Sequence, residues 1–230
     1  MTSLPHGLRA FVLDAHSSDG TRAYALASGA TVEERSWTNF VDARTYALSR
    51  IQTEWTLMID ADEALDDRLL EAIVAAAGDG DGYTVRRTTY FHGKPMRLWQ
   101  KERLLRLVRT RRARVEAVPP TGGTAAVHER LVVDGPTSEL RGELLHYSYP
   151  DYASYRDKFE TYTSLEAAGQ TQSVVRIVRE LALALPRFFI YLFLRGAVLD
   201  GPTGWFIAWQ SAMYSVVVAL KALRQAQDRP

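Results

Sequence analysis

Apolar and polar residues are grouped in short blocks along the first part of the chain, and the period changes from block to block. Residues 8–13 are an apolar run that ends at Asp14, and turn-forming residues follow from Ala15 to Thr21. That order predicts a strand, a loop and a helix over residues 22–28, with Ser18, Asp19 or Thr21 as N-cap and Gly29 closing the helix. Residues 30–34 predict a second strand. Phe40, Ala43, Ala47 and Leu48 then share one side of a helix over residues 40–50. A third apolar run, residues 55–59, stops abruptly at Asp60, Asp62 and Glu63. After it Leu65, Leu69, Leu70, Ile73 and Val74 recur at helical spacing until the glycine-rich residues 78–82. Residues 83–91 are β-rich, and residues 104–108 and 131–133 read as further strands. Strands alternating with helices predict an α/β fold, a mostly parallel sheet with helices on both faces, giving way to a more irregular β region.

The pattern changes at Tyr152. Residues 152–168 predict a charged, aromatic helix. Residues 174–185 predict an apolar helix carrying Arg176, Arg179 and Glu180, interrupted at Pro186. Residues 188–194 and 204–220 are strongly apolar and are separated by Asp200-Gly201-Pro202-Thr203. Both runs fall short of the ~20 residues that a spanning helix needs. Tyr191, Trp205, Trp209 and Tyr214 are of the types that favour the headgroup level. These features predict amphipathic or apolar helices lying in or shallowly under a membrane surface. A transmembrane pair, and a helical hairpin packed on the sheet or on a second subunit, are the other arrangements this pattern allows. The expected division is a domain over residues 1–150 and a helical, membrane-associating region over residues 151–230.

Composition narrows the chemistry. With 230 residues, 47% of them hydrophobic, the chain can bury a full core. Its 28 Lys and Arg balance 27 Asp and Glu, so no overall field favours nucleic acid, and no nucleic-acid-binding motif is present. Cysteine is absent, which excludes disulfides, thiol nucleophiles and thiolate metal sites and leaves His, Asp and Glu as ligands. Residues 1–9 lack a basic region followed by an apolar core, so a cytoplasmic protein is expected.

Asp60-x-Asp62, followed by Glu63, stands where open α/β sheets bind ligands, at the carboxyl end of a strand. Carboxylates one residue apart there suit a hard divalent cation able to bridge a diphosphate. Capping of the following helix by Asp62 and Glu63 is the alternative. Asp14 repeats the device at the first strand, as a hydrogen-bond acceptor for a ribose or base or as a turn residue closing on Ser17 or Ser18. Arg103, Arg106, Arg109, Arg111, Arg112 and Arg114 form a dense basic cluster, suited to anionic headgroups, a phosphorylated acceptor, a diphosphate, or solvent alone.

The ordered set of Asp14, Ser17 to Thr21, Trp37, Phe40, Arg44, Glu54-Trp55 and Asp60-Ala61-Asp62-Glu63 resembles family 2 glycosyltransferases of the GT-A fold. The likeness continues through Arg87, Tyr90-Phe91, Arg103 to Arg106, Val127-His128-Glu129 and Leu145 to Ser148, and is strongest with the bacterial branch that includes lipopolysaccharide core sugar transferases. It implies a nucleotide-sugar donor, Mg or Mn, and inverting transfer to a cell-envelope glycan or lipid-linked acceptor on the inner face of the cell membrane. Asp14, Asp60 and Arg44 would then face the donor, and Asp62 with His146 the metal. Glu129 would be the general base, with His128, Arg103 and Arg106 near the diphosphate or acceptor. Members of that family carry a strand and helix ahead of the one ending at Asp14, and this sequence shows neither, so exposed sheet edges and a homodimer are expected. A shortened, non-catalytic relative that binds membrane or a partner transferase, and a polyprenyl-phosphate sugar transferase, are the competing readings.

Overall fold

The computed structural model describes residues 8–76, 80–100, 102–118, 129–168, 170 and 174–227. Strand β1 (Phe11–Asp14) leads into helix α1 (Thr21–Ala27) and strand β2 (Thr31–Glu34), which pairs with β1 in parallel as a separate ribbon. Gly20 takes the N-cap position of α1, while Asp19 accepts the Thr21 amide at 2.9 Å. Gly29 closes the helix in the left-handed region at φ 83°. Helix α2 (Phe40–Arg50) starts at Asn39, whose side chain accepts the Asp42 amide.

The main sheet is laid down after α2. Strand β3 (Trp55–Leu57) is followed within six residues by β4 (Glu63–Leu65), helix α3 (Asp67–Ala75), β5 (Gly82–Phe91), β6 (Lys94–Pro95) and β7 (Glu102–Arg109). A side ribbon of β8 (Ala113–Ala117) and β9 (Glu129–Val133) precedes the long β10 (Thr137–Tyr149). Its order is β3-β7-β5-β10-β4, with β6 added beside β5. Here the expectation of a mostly parallel sheet needs correction. β5 and β10 run parallel, but the other pairings of this sheet are antiparallel. For the β5–β6 pair the reason is local: the chain turns through His92 and Gly93, both at positive φ, which gives a tight hairpin and no helical crossover.

Residues 63–65 form strand β4 and not the start of the predicted helix. Asp66 is the N-cap of α3, its side chain accepting the Leu69 amide at 2.7 Å. Leu69 then packs with Val85 and Leu144 into a small core between α3 and the sheet. Gly142, at φ 100°, lets β10 pass this helix start, because a Cβ there would lie 2.3 Å from the Leu69 nitrogen.

Helix α4 (Tyr152–Ala167) begins at Asp151, a side-chain cap on the Ser154 amide. Helix α5 (Val174–Phe189) runs through Pro186 instead of stopping there, and a π-helical turn at Ile190–Leu194 carries the chain on. Proline has no N–H to give the preceding turn, and the wider turn beyond is closed by the Arg195 amide on the Ile190 carbonyl at 3.0 Å. Helix α6 (Gly201–Gln227) closes the fold. By length and composition, residues 197–226 make one helix able to cross a membrane, although 39% of its apolar window is buried against the rest of the protein. Phe91, Met96 and Leu98 from the sheet region share a core with Tyr155, Leu192, Ile207 and Ala208 from the helices.

Glu180 is buried in α5 and held by Arg179 at 2.7 Å and Arg187 at 2.5 Å. Burial pushes its carboxyl up, and the two guanidinium groups outweigh that, leaving it below the ordinary 4.5. A carboxyl lowered on folding stabilises above its unfolded value, and the contribution disappears as pH falls through the folded one. Thermal melts should therefore show wild type and Glu180→Gln converging as pH is lowered below about 4.5, with wild type the more stable near neutrality. A gap that widens in acid would contradict this sign.

Candidate active site

The turn Asp60-Ala61-Asp62-Glu63 is built by its own residues. The Glu63 amide donates to the Asp60 carbonyl at 3.0 Å, and the Glu63 carboxylate reaches back to accept the Asp60 amide at 2.8 Å. Glu63 is not solvated: its side chain is 0% exposed and takes Arg106 at 2.6 Å and Arg87 at 3.6 Å. Arg106 reaches it from a bulge in β7, where Leu105 and Leu107 pair with the consecutive residues Thr84 and Tyr83.

Two carboxylates project from this turn into different surroundings. Asp60 takes Arg44 of α2 at 2.6 Å and Arg106 at 3.1 Å. Burial pushes the Asp60 carboxyl up, and Arg106 and Arg44 outweigh it, so it lies below its usual range. The same Arg44 forms an ion pair with Glu129, Nε lying 3.1 Å from its carboxylate, so one guanidinium joins Asp60 to the first residue of β9. Asp62 Oδ2 lies 3.4 Å from His146 Nε2 and 3.2 Å from Lys158 Nζ on α4. The His146 hydrogen bond, with the charges of His146 and Lys158, holds the Asp62 carboxyl well below the ordinary carboxylate range against partial burial. His146 is aimed there by β10, which places it opposite Glu63 on one side and Thr89 on the other, and Thr89 Oγ1 lies 3.2 Å from Nδ1.

Beside this turn a cleft of about 390 Å³ opens between the start of α2 and α4, walled by Trp37, Phe40, Asp157, Lys158, Thr161, Tyr162 and Leu165. Burial raises the Tyr162 hydroxyl pKa, and the charges of Asp62, Asp60 and Glu129 add to it. Lys158 also donates to Ser148 at 3.1 Å. The sequence reading missed Lys158 and Tyr162. Their four-residue spacing on one helix face was the available signal.

The structure thus brings together Arg44, Asp60, Asp62, Arg106, Glu129 and His146. It does not bring Asp14 or Arg103 to them. Asp14 is buried at the end of β1, its carboxylate accepting the Ser17 amide at 3.1 Å and hydroxyl at 2.5 Å. Arg103 pairs with Glu139 at 2.8 Å. His128 lies outside the described residues. Much of the predicted basic cluster is divided among separate ion pairs, Arg109 with Glu54 and Asp81, Arg112 with Asp81, and Arg114 with Glu116 and Asp134.

Among the described residues no group of three His, Asp or Glu converges as a metal cage. Asp62 and His146 do offer two donor atoms 3.4 Å apart, close to the roughly 3 Å between neighbouring ligands of one octahedral ion. These two donors are fewer than a protein cage for such an ion needs, and the Asp62 oxygen also faces the Lys158 ammonium at 3.2 Å.

Comparison with known proteins agrees with the α/β, GT-A-like reading of the fold. Uncharacterised glycosyltransferases of Rickettsia conorii and Rickettsia felis are each 36% identical over 74 residues, covering 31% of this chain and 26% of the relative. The chain therefore spans about a quarter of the length of these two relatives. An uncharacterised glycosyltransferase of Rickettsia prowazekii is 26% identical over 202 residues, 79% of this chain and 69% of the relative. The family model described as Glycosyl transferase family 2 matches residues 6–133, more than half of the sequence and the whole span from β1 to β9, and the chain belongs to that family.

Proposed function

We propose that the protein transfers a sugar, with inversion, from a nucleotide-diphosphate donor to a hydroxyl of a cell-envelope glycan or lipid-linked acceptor at the cytoplasmic face of the membrane. The observation that carries this reading is the Asp60–Glu63 turn, which presents one carboxylate to paired arginines and the next to a histidine and a lysine at the mouth of a cleft. Asp62 and His146 would hold Mg or Mn, which when bound neutralises the charge that develops on the leaving diphosphate. Lys158, 3.2 Å from Asp62, adds a fixed positive charge on the same side. Asp60, kept ionised by Arg44 and Arg106, is an acceptor for donor hydroxyls.

Glu129 is the proposed general base. As the acceptor oxygen forms its bond to the anomeric carbon, the bond from that carbon to the diphosphate oxygen breaks and its electron pair leaves with the nucleoside diphosphate. The hydroxyl proton passes to the Glu129 carboxylate. Arg44 fixes the position of that carboxylate relative to Asp60 through its 3.1 Å and 2.6 Å contacts. The exposed apolar side chains of α5 and the exposed Trp205 and Trp209 of α6 support docking on a membrane surface.

Titration calorimetry with UDP, GDP and thymidine diphosphate tests the donor side. One of them is expected to bind in the presence of Mn and at least about tenfold more weakly in chelator. No binding by any of them, with or without metal, would leave the non-catalytic reading, a relative that docks on membrane or on a partner transferase.

A further inference from the structure

A second concavity, of about 480 Å³, faces away from the carboxylate turn and is lined by Arg86, Arg97, Gln100 and Arg103 on one side and by Phe193 to Gly196 on the other. Its orientation follows from strand alternation. Arg87 and Glu102 are partners across β5 and β7, and Arg87 turns to Glu63; the adjacent pair, Arg86 opposite Arg103, must face the other side of the sheet. The sheet therefore separates this cleft from the proposed transfer site.

Its charge is not balanced from within. Of the four guanidinium groups, Arg103 takes Glu139 at 2.8 Å and Arg86 reaches the same carboxylate only at 4.0 Å. Asp200 is nearby, but its two oxygens accept the backbone amides of Arg97 and Leu98 at 3.1 and 3.2 Å. Among the described residues neither the Arg97 nor the Arg195 guanidinium pairs with a carboxylate, and Arg195 is steadied over the Tyr191 ring, 5.5 Å from its centroid. Arg86 and Arg103 stand directly opposite each other in the ladder and share the single Glu139 carboxylate, which leaves the four-arginine cleft short of negative charge.

The rim of the cleft is apolar. Phe193 and Leu194 are 57% and 78% exposed, and they continue a row on one face of α5, Val174, Val178, Leu181, Leu185 and Phe189, each about half exposed or more. The opposite face of that helix buries Glu180 and Ala184. An exposed apolar ridge beside an unbalanced arginine cleft matches a bilayer interface in both of its parts, acyl chains and phosphate. A soluble phosphate would use the arginines and leave the ridge in water.

We infer that this cleft receives the phosphate of an anionic lipid headgroup while Phe193, Leu194 and the α5 row enter the acyl boundary. The inference rests on the membrane docking included in the proposed function, and it assigns that docking a specific phosphate site remote from sugar transfer.

Flotation with phosphatidylcholine vesicles, alone or carrying roughly a third phosphatidylglycerol, tests it. Wild type should bind the anionic vesicles at least about tenfold more tightly than the neutral ones. Arg97→Gln with Arg195→Gln, two exposed positions, should lose roughly twentyfold on anionic vesicles and little on neutral ones. Phe193→Ser with Leu194→Ser should weaken binding to both. Arginine variants that bind anionic vesicles like wild type, or that lose equally on both, would overturn the cleft while leaving membrane docking intact. A wild-type protein that floats with neither vesicle would overturn docking and cleft together. Competition by millimolar glycerol phosphate at the level of intact vesicles would also overturn it, by making the site one for soluble phosphate. Nucleoside diphosphate binding measured without lipid should be the same in wild type and the arginine variant, which keeps a failure of this inference apart from a failure of the transferase reading.

Discussion

Asp62→Asn is expected to reduce sugar transfer by about two to three orders of magnitude while the unfolding temperature stays close to that of wild type. The substitution keeps the shape and one acceptor oxygen but removes the charge that faces His146 and Lys158. In the folded protein that charge has two cations or donors on a single oxygen, and Asp62 is about a third exposed, so its loss should cost little stability. Its loss should cost much more when a diphosphate must be held against a cation at the same place. Lys158→Met separates two ways in which Asp62 could act. If Asp62 works through the metal, the lysine variant keeps its dependence on Mn concentration and Asp62→Asn loses it. If Asp62 serves only to position Lys158, the two variants fall equally and both keep the Mn dependence of wild type. Turnover of Asp62→Asn at the wild-type rate, with an intact fold, would remove the carboxylate from the mechanism altogether.

The local elements of this fold were legible because each is bounded by residues with one strong preference. Helix α2 occupies residues 40–50 as its apolar spacing predicts, and Gly29 ends α1 in the conformation that glycine favours. Asp66 was harder to see, since Glu63-Ala64-Leu65 before it has the composition of a helix start and becomes a strand only because β10 lies alongside to pair with it. The same long reach hid the electrostatics. Nothing near Glu63 in sequence reveals that its partner is Arg106, 43 residues away, or that Asp62 meets Lys158, 96 residues away. A buried ion pair is a property of the assembled sheet, and three acids within four residues look alike until the fold gives each its partners, Arg106 shared by Asp60 and Glu63. Strand parity could have separated Arg103 from Arg106, since an odd spacing points side chains to opposite faces. The density of the cluster obscured that.

Glu63 and Arg106 carry the largest stability effect expected here. Arg106 is 5% exposed and Glu63 0%, at 2.6 Å, with the second Glu63 oxygen occupied by the Asp60 amide. Arg106→Met removes the cation and leaves a carboxylate inside the sheet, with only Arg87 at 3.6 Å to balance it. Stranding one member of a buried pair costs about 3–5 kcal/mol, which in a protein of this size is a fall in unfolding temperature of roughly 10 °C. Removing both charges should be milder, because the desolvation that made the lone carboxylate unfavourable disappears with it. Glu63→Gln combined with Arg106→Met should therefore recover at least about 1–2 kcal/mol relative to Arg106→Met alone, a non-additivity that a double-mutant cycle by denaturant unfolding measures directly. Additive losses in the cycle would mean that Glu63 and Arg106 act independently. The Asp60–Glu63 turn would then owe its shape to its backbone bond and not to the buried arginine. Recovery of stability in the double variant with transfer still depressed is the outcome expected from the geometry. Asp60 would have lost one of its two guanidinium partners, leaving Arg44 as the cation that orients its carboxylate.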